Sequence, residues 1–409
     1  MNLVPMLPDA RFHLLPDRVD VRASAAFFSA LRDAMGEDGS FCVLDTDRLA
    51  EAVTEWRSRV EGEEGLYAVR RNADPVLLAS VAGLGLGFVA SCPGDLEALE
   101  AVAELDWSTD VLYAAPLNTR RRLAQAAAVG VQRFTVHSQG DLLRIADAVP
   151  EARLMLALRL GGNVDEALER DGAELLAAAA ALGLHVEGLF LQASSGGADL
   201  ESWLNLAQCL LAEALRLDLP IQRLHLDLGR RPCLDTAAVL AAFRRQSGLR
   251  LSIDLGDCLS AASTLVANII NTSQLHGKTA YHVNEGVFGH LADCLLGEAP
   301  RALALKDVGP PLPSTILGPS QDSSDTVLAS AELGPLGPGD WIVFPGTGAR
   351  TLLNHGTLAG FATPHTFYIG TLNSWKRVKE RLVNCGESGE SSSSEEEDSS
   401  AFDSSPDEA

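Results

Sequence analysis

The chain has 409 residues, 46% of them hydrophobic, which is enough for two folded domains with substantial cores. Its net charge of −23 argues against nucleic-acid binding through a basic surface, and its apolar runs are too short to span a bilayer as a helix. Seven cysteines that lack CxxC or Cys/His ligand spacing indicate reduced thiols in the cytoplasm and no structural metal site.

The first predicted element is a strand at Arg11–Leu15, which is expected to join a second domain. From Gly65 onward, eight short apolar runs alternate with helical stretches such as Glu166–Leu184 and Leu200–Leu215. Eight alternating units are typical of an α/β barrel rather than a doubly wound sheet. The predicted barrel strands are Leu66–Val69, Leu86–Ala90, Val111–Ala114, Arg133–Val136, Leu154–Leu158, Gly188–Gln192, Leu224–Leu228 and Leu251–Leu255.

The composition changes after Leu255. Pro- and Gly-rich connections there separate β-prone runs, which predict a mainly β domain with strands at Thr279–Val283, Trp341–Phe344 and Thr366–Ile369. Residues 386–409 contain nine acidic and no basic residues, which predicts a disordered tail. The predicted organisation is an N-terminal segment (1–40) that joins the β domain, a (β/α)8 barrel (41–258), the β domain (259–385) and the acidic tail (386–409).

Five segments, LYAVRRN, LGLGFVAS, HVEGLFLQASSGG, YHVNEGVFGHL and GDWIVFPGTGA, are similar to motifs of one family and keep their order and spacing. The first resembles Y-A-V-K-C-N, and the fourth resembles Y-Y-V-N-D-G-V-Y-G-S-F. These motifs are those of the ornithine decarboxylase and antizyme inhibitor family. The resemblance implies a barrel that binds pyridoxal phosphate, followed by a β domain, as in alanine racemase-like proteins.

The resemblance also implies a lysine that forms a Schiff base with the cofactor, but Arg70 stands at that position. A guanidinium stays protonated at any usable pH and cannot form the aldimine. Gln192 stands where the family stacks a histidine on the cofactor ring. Gln321 replaces the cysteine that handles the carbanion, whereas Asp322 beside it matches the family. The first lysine in the chain is Lys278, beyond the predicted barrel.

The predicted phosphate site is also altered. Arg230 replaces a glycine whose backbone approaches the phosphate in the family, while Asp254 keeps a carboxylate that faces the pyridine nitrogen. The nine histidines form no metal-binding spacing, which favours core or surface roles. We therefore expect no catalytic residue, no bound cofactor and no metal. The positions that match family cofactor contacts are Ser195, Gly196, Gly229, Arg230, Asp254 and Arg350.

Three functions compete for this sequence. The favoured one is a catalytically inactive homologue that regulates polyamine synthesis and uptake by binding ornithine decarboxylase antizyme, as a monomer or weak homodimer. The second is a pyridoxal-phosphate-dependent ornithine or amino-acid decarboxylase that makes putrescine. The third is a pocket for a small anion, lined by Arg70, Arg71, Arg230, Arg231 and Arg350. The resemblance places the contacts with antizyme at Arg120, Arg121, Arg122 and Arg133.

Overall fold

The computed structural model describes residues 4–5, 12–15, 39–60, 64–116, 118–160, 166–193, 200–228, 237–259, 262–296, 299–306, 309–320, 322–347 and 364–382. Its strands form a closed barrel of eight strands and a separate sheet of ten. Within the described ranges, no helix is both long and apolar enough to cross a membrane. The predicted acidic tail lies outside these ranges.

The elements are numbered in chain order among the described residues. The strands are β1 (Val4–Pro5), β2 (Phe12–Leu14), β3 (Phe41–Asp45), β4 (Glu64–Ala68), β5 (Gly87–Ala90), β6 (Val111–Tyr113), β7 (Arg133–Val136), β8 (Arg153–Leu160), β9 (His185–Ala193), β10 (Arg223–Asp227), β11 (Arg250–Asp254), β12 (Ser263–Leu275), β13 (Lys278–Val283), β14 (Leu303–Ala304), β15 (Leu312–Leu317), β16 (Thr326–Leu333), β17 (Trp341–Pro345) and β18 (His365–Gly370). The helices are α1 (Thr46–Arg59), α2 (Pro75–Gly83), α3 (Pro93–Leu99), α4 (Arg120–Ala128), α5 (Gln139–Ala148), α6 (Glu166–Ala181), α7 (Leu200–Arg216), α8 (Ala237–Ser247), α9 (Gly256–Leu259) and α10 (Leu372–Arg381).

Strands β4 to β11 form the barrel, and each pairs in parallel with the next until β11 closes onto β4. All eight predicted barrel strands are confirmed, as are the two predicted helices. These strands are apolar on both faces because helices cover the barrel outside and side chains fill it inside. The interior cluster is formed by Leu66, Ala68, Val89, Leu112, Met155, Ala157 and Phe190.

Local signals set where the helices begin. Asp45, Asp74, Thr119 and Ser138 each accept hydrogen bonds from backbone N–H groups in the first turns of α1, α2, α4 and α5. These side chains satisfy amide donors that have no partner within the helix. Pro75 at the first position of α2 adds a fixed φ angle that suits helix initiation. The barrel loops therefore turn into helices at defined residues.

The sheet runs in the order β1-β2-β18-β3-β12-β13-β15-β16, and β17 pairs with both β12 and β14. Strand β12 is central, because its first half pairs with β3 and β17 and its second half pairs with β13. Strand β2 joins the sheet through parallel pairing with β18. The predicted β runs near Thr279, Trp341 and Thr366 are confirmed as β13, β17 and β18.

Strand β3 requires a correction to the predicted barrel, which was placed from residue 41. Phe41–Asp45 pairs with β12 and β18 and thus belongs to the sheet. The first barrel strand is β4, which begins at Glu64. The physical reason is that an apolar run of five residues pairs equally well in either unit, and only long-range contacts select the partner.

The sheet contacts the barrel near the loop that follows β4. The Tyr368 hydroxyl of β18 donates to Asp74 Oδ2 at 2.7 Å, and Asp74 is the N-cap of α2. Asp47 of α1 accepts from the Thr371 amide at 2.7 Å and from its hydroxyl at 2.9 Å, which anchors the start of α10. These contacts hold the sheet and α10 against the helices beside β4.

Candidate functional site

The barrel mouth, at the C-terminal ends of the strands, contains a cavity of about 50 Å³. This volume has room for one or two water molecules, given roughly 30 Å³ per water in the liquid. It is far below the roughly 300 Å³ at the lower end of ligand pockets. Among the described residues, the polar side chains that line the cavity are Arg70, Ser91, His137, Arg159, Gln192, His225, Asp227 and Asp254.

Arg70 lies in the 3-10 turn Val69–Arg71 that follows β4. Its side chain is 47% exposed, and Nη2 lies 3.9 Å from Oδ2 of Asp227, the last residue of β10. The same Asp227 oxygen accepts a hydrogen bond from Gln192 Nε2 of β9 at 2.9 Å. The structure therefore brings two predicted site residues, Arg70 and Gln192, together on one carboxylate.

The neighbouring Arg71 side chain is buried, with only 7% of it exposed. Its Nη2 donates to Oδ2 of Asp254, the last residue of β11, at 3.3 Å, and Oδ1 of Asp254 accepts from the Gly256 amide at 2.8 Å. A Cβ atom on Gly256 would lie 2.1 Å from Arg71 Cδ, so only glycine leaves room for this side chain. The Asp254 carboxylate thus has a guanidinium of its own chain as its cation.

His225 lies inside the barrel, where it is 1% exposed. Its ring stacks on Phe190 with centroids 4.7 Å apart, and Nδ1 lies 2.9 Å from Ser252 Oγ. Nothing in the described part of the chain hydrogen-bonds to Nε2. Burial lowers the pKa of His225 to about 4, despite the opposing charges of Asp254 and Asp227. The imidazole is therefore neutral at pH 7.

Asp322 is the remaining predicted catalytic or cofactor position that lies within the described ranges. Asp322 lies in the loop between β15 and β16, where its Oδ1 accepts from the Ser324 amide and hydroxyl, which lowers the pKa of the carboxyl group. Asp322 is not among the described residues that line the barrel mouth. The predicted positions that lie outside the described residues are Ser195, Gly196, Gly229, Arg230, Gln321 and Arg350, together with Arg231.

The arginines predicted to contact a partner separate into two groups. Arg120 and Arg121 are exposed in the first turn of α4, and Arg122 beside them is half-buried. Arg120 forms a solvent-exposed ion pair with Asp147 at 3.1 Å. Arg133 requires a correction, because it begins β7 and is only 5% exposed. As part of the barrel wall, it has no surface to offer a partner.

Arg133 belongs to a buried charged group at the opposite end of the barrel, where the strands begin. Arg223 Nε donates to Glu187 Oε1 at 2.7 Å, and Arg223 also pairs with Glu64. Burial and the nearby Arg223 charge lower the pKa of Arg133, and the two acids oppose this shift. Among the described residues this group closes the barrel floor.

Sequence reasoning missed two polar residues of the mouth, Arg159 and His137. Arg159 lies near the end of β8, and His137 follows β7 directly. Only their position directly after a predicted strand could have indicated a functional role, because functional groups of such barrels lie at the C-terminal ends of strands. Both residues directly follow predicted strands, Arg133–Val136 and Leu154–Leu158, and the histidine pattern favours a core or surface role for His137.

The fold, a barrel with an attached sheet, is that of pyridoxal-phosphate-dependent decarboxylases. The family model described as "Pyridoxal-dependent decarboxylase, C-terminal sheet domain" matches residues 41–348, well over half of the chain, and the chain belongs to this family. Ornithine decarboxylase of Caenorhabditis elegans is 26% identical over 422 residues, which cover 92% of this chain and 98% of that protein. Antizyme inhibitor 1 of Rattus norvegicus is 24% identical over 387 residues, which cover 83% and 85%.

The solved structures support the same fold. Arginine decarboxylase of Paramecium bursaria Chlorella virus, in a crystal structure bound to agmatine, matches with a TM-score of 0.76 and 20% sequence identity. The match covers 85% of this chain and all of that one. At this identity the likeness establishes the architecture, a barrel with an attached sheet, and not the reaction.

The residues present do not fit pyridoxal phosphate bound as an aldimine. The chain has four lysines, and none lies in the barrel. Lys278 Nζ donates to Ala329 O at 3.2 Å on the sheet, and Lys306 pairs with Asp340 at 2.5 Å. Lys376 and Lys379 are exposed on α10. No amine therefore reaches the barrel mouth.

We predict that His225 makes stability depend on pH. The folded chain keeps the imidazole neutral down to about pH 4, whereas the unfolded chain takes up a proton below about pH 6.5. The stabilisation of the folded state that comes from His225 is therefore fully present above about pH 6.5 and is lost as the pH falls toward 4. Relative to His225→Asn, the free energy of unfolding of the wild type should fall by about 3 kcal/mol between pH 7 and pH 4.

Urea unfolding at several pH values measures this difference. Ser252→Ala is the control, because it removes the hydroxyl beside Nδ1 and keeps the titrating ring, so its pH curve should run parallel to that of the wild type. If the wild type and His225→Asn lose stability in parallel on acidification, His225 is not held neutral by burial.

Proposed function

We propose that this chain is a catalytically inactive member of the family that regulates polyamine synthesis and uptake in the cytoplasm by binding ornithine decarboxylase antizyme. The observation that carries the proposal is Arg70 at the C-terminal end of β4, paired with Asp227 in a barrel without lysine. A guanidinium does not add to an aldehyde, since it stays protonated and delocalised. The chain then acts through its surface.

The surface of α4 suits a partner recognised by charge. Arg120 and Arg121 lie in its first turn. Among the described residues, Arg120 forms one ion pair, with Asp147, in which the Arg120 side chain is 74% exposed and the Asp147 side chain is 56% exposed. An exposed pair of this kind contributes little stability, about 0 to 1 kcal/mol, so an acidic partner can displace Asp147 at low cost. Complementary charge raises the association rate as well as selectivity.

Ornithine decarboxylation is the second candidate, and the name of the Caenorhabditis elegans relative favours it. It needs an amine for the aldimine, which the barrel lacks. The third candidate is the arginine-lined anion pocket, of which Arg230, Arg231 and Arg350 lie outside the described residues. Arg70 and Arg71 each pair with an aspartate, which leaves the anion no uncompensated guanidinium from these two residues.

We predict that the protein does not decarboxylate ornithine. Purified protein with added pyridoxal phosphate should release no CO₂ from ornithine above a buffer blank, because no aldimine forms in the barrel. Borohydride reduction followed by peptide mapping should find no pyridoxyl group on any peptide of residues 41–258. The decarboxylase of Caenorhabditis elegans, treated in parallel, is the positive control. Ornithine turnover by the wild-type chain would refute the proposal.

The second prediction concerns the partner. Antizyme should bind the wild-type chain, and Arg120→Ala with Arg121→Ala should weaken binding at least tenfold, with the loss shrinking as salt rises. Calorimetry at two ionic strengths measures both effects. A matched control removes two exposed arginines elsewhere, Arg216 on α7 and Arg245 on α8, and should leave the affinity unchanged. Equal weakening by both double variants would show that only net charge matters, and no binding at all would exclude this partner.

A further inference from the structure

A cleft of about 630 Å³ opens beside the barrel mouth. Its walls come from Pro116 after β6, His137 and Ser138 after β7, Arg159 near the end of β8, and helix α6. The volume lies within the range of roughly 300 to 1,000 Å³ that is typical of small-molecule sites. The cleft shares Pro116, His137 and Arg159 with the small cavity but extends outward, away from Asp227 and Asp254.

Charges of opposite sign line the two sides of this cleft. Arg159 contributes a guanidinium from the strand side, and α6 contributes the exposed carboxylates of Asp171 and Glu174, one turn apart. Among the described residues, none of the three has an ion-pair or hydrogen-bond partner. The guanidinium and the two carboxylates also do not pair with each other, because the cleft separates them.

His137 adds a neutral polar group between these charges. Burial lowers its pKa, so the imidazole is uncharged at pH 7. Nε2 lies 3.3 Å from Thr135 Oγ1, and the backbone amide donates to Asp141. Among the described residues, no hydrogen bond to the other ring nitrogen is formed, and His137 lines the cleft.

From this arrangement we propose that the cleft binds a small zwitterion with a carboxylate at one end and an ammonium at the other. The carboxylate pairs with Arg159, whose fork of donors suits two carboxylate oxygens, and the ammonium lies between Asp171 and Glu174. A ligand with one charge would neutralise one wall and be repelled by the other. An ω-amino acid satisfies both walls at once, and no covalent step is involved.

This site is independent of the proposed function. It uses none of the aspartates that pair with Arg70 and Arg71, and it needs no lysine. Its residues also differ from the exposed arginines of α4. The proposal would hold for a decarboxylase as well as for a partner-binding protein, so the two proposals fail separately.

Calorimetric titration of the full chain with glycine, 4-aminobutyrate and 6-aminohexanoate tests the site and finds the preferred spacing. We expect at least one of these zwitterions to bind at least tenfold more tightly than butyrate or butylamine, which carry one charge each. Binding of butyrate as strong as that of the best zwitterion, or no heat with any zwitterion, would overturn the proposal.

Variants locate the site on the cleft. Arg159→Met and the double change Asp171→Asn with Glu174→Gln should each reduce the affinity for the best zwitterion at least tenfold. The control is Arg216→Met with Glu213→Gln, which removes an exposed ion pair on α7 and should change nothing. The acidic double variant tests the site even if Arg159→Met does not fold, since both acids are exposed. Unchanged affinity in a folded variant of either wall would refute the assignment.

Discussion

The buried pair between Arg71 and Asp254 is the interaction on which the barrel mouth depends. Both side chains are at least nine-tenths buried, and removing one partner of such a buried ion pair is strongly destabilising. The pair ties the turn after β4 to the end of β11, which are neighbours where the barrel closes. Gly256 is required beside it, since any side chain at this position would collide with Arg71. The turn that carries Arg70 is thereby fixed.

The other contacts of the barrel mouth are arranged around that turn. Arg70 and Gln192 meet on Asp227, His225 stays neutral on Phe190, and the space left is about 50 Å³. In this chain the cation opposite Asp254 is a guanidinium, where the resemblance implies a cofactor ring nitrogen. The Arg71 guanidinium thus neutralises the Asp254 carboxylate, which a cofactor would otherwise face. This is consistent with a family member that works through its surface.

The barrel was predictable because strand and helix periods are local properties, and all eight strands fell where apolar runs alternate with helical stretches. The resemblance of one motif, LYAVRRN, was enough to single out Arg70 as the residue to examine at the barrel mouth. Three other features could not be predicted: the partner of β3, the burial of Arg133 and the opposing charges around Arg159. Each of them depends on contacts between distant parts of the chain. Arg133 is an example, because an arginine at the start of a strand is exposed or buried depending on which residues of other strands pack against it.

A double-mutant cycle on Arg71 and Asp254 measures how strongly this buried pair organises the barrel mouth. The free energies of unfolding of Arg71→Met, Asp254→Asn and the double variant would be measured by urea titration without cofactor. Each single change should cost on the order of 3 to 5 kcal/mol, because it removes one partner of a buried ion pair. The double variant should recover most of that loss, and strictly additive losses would contradict the claim that this pair organises the barrel mouth.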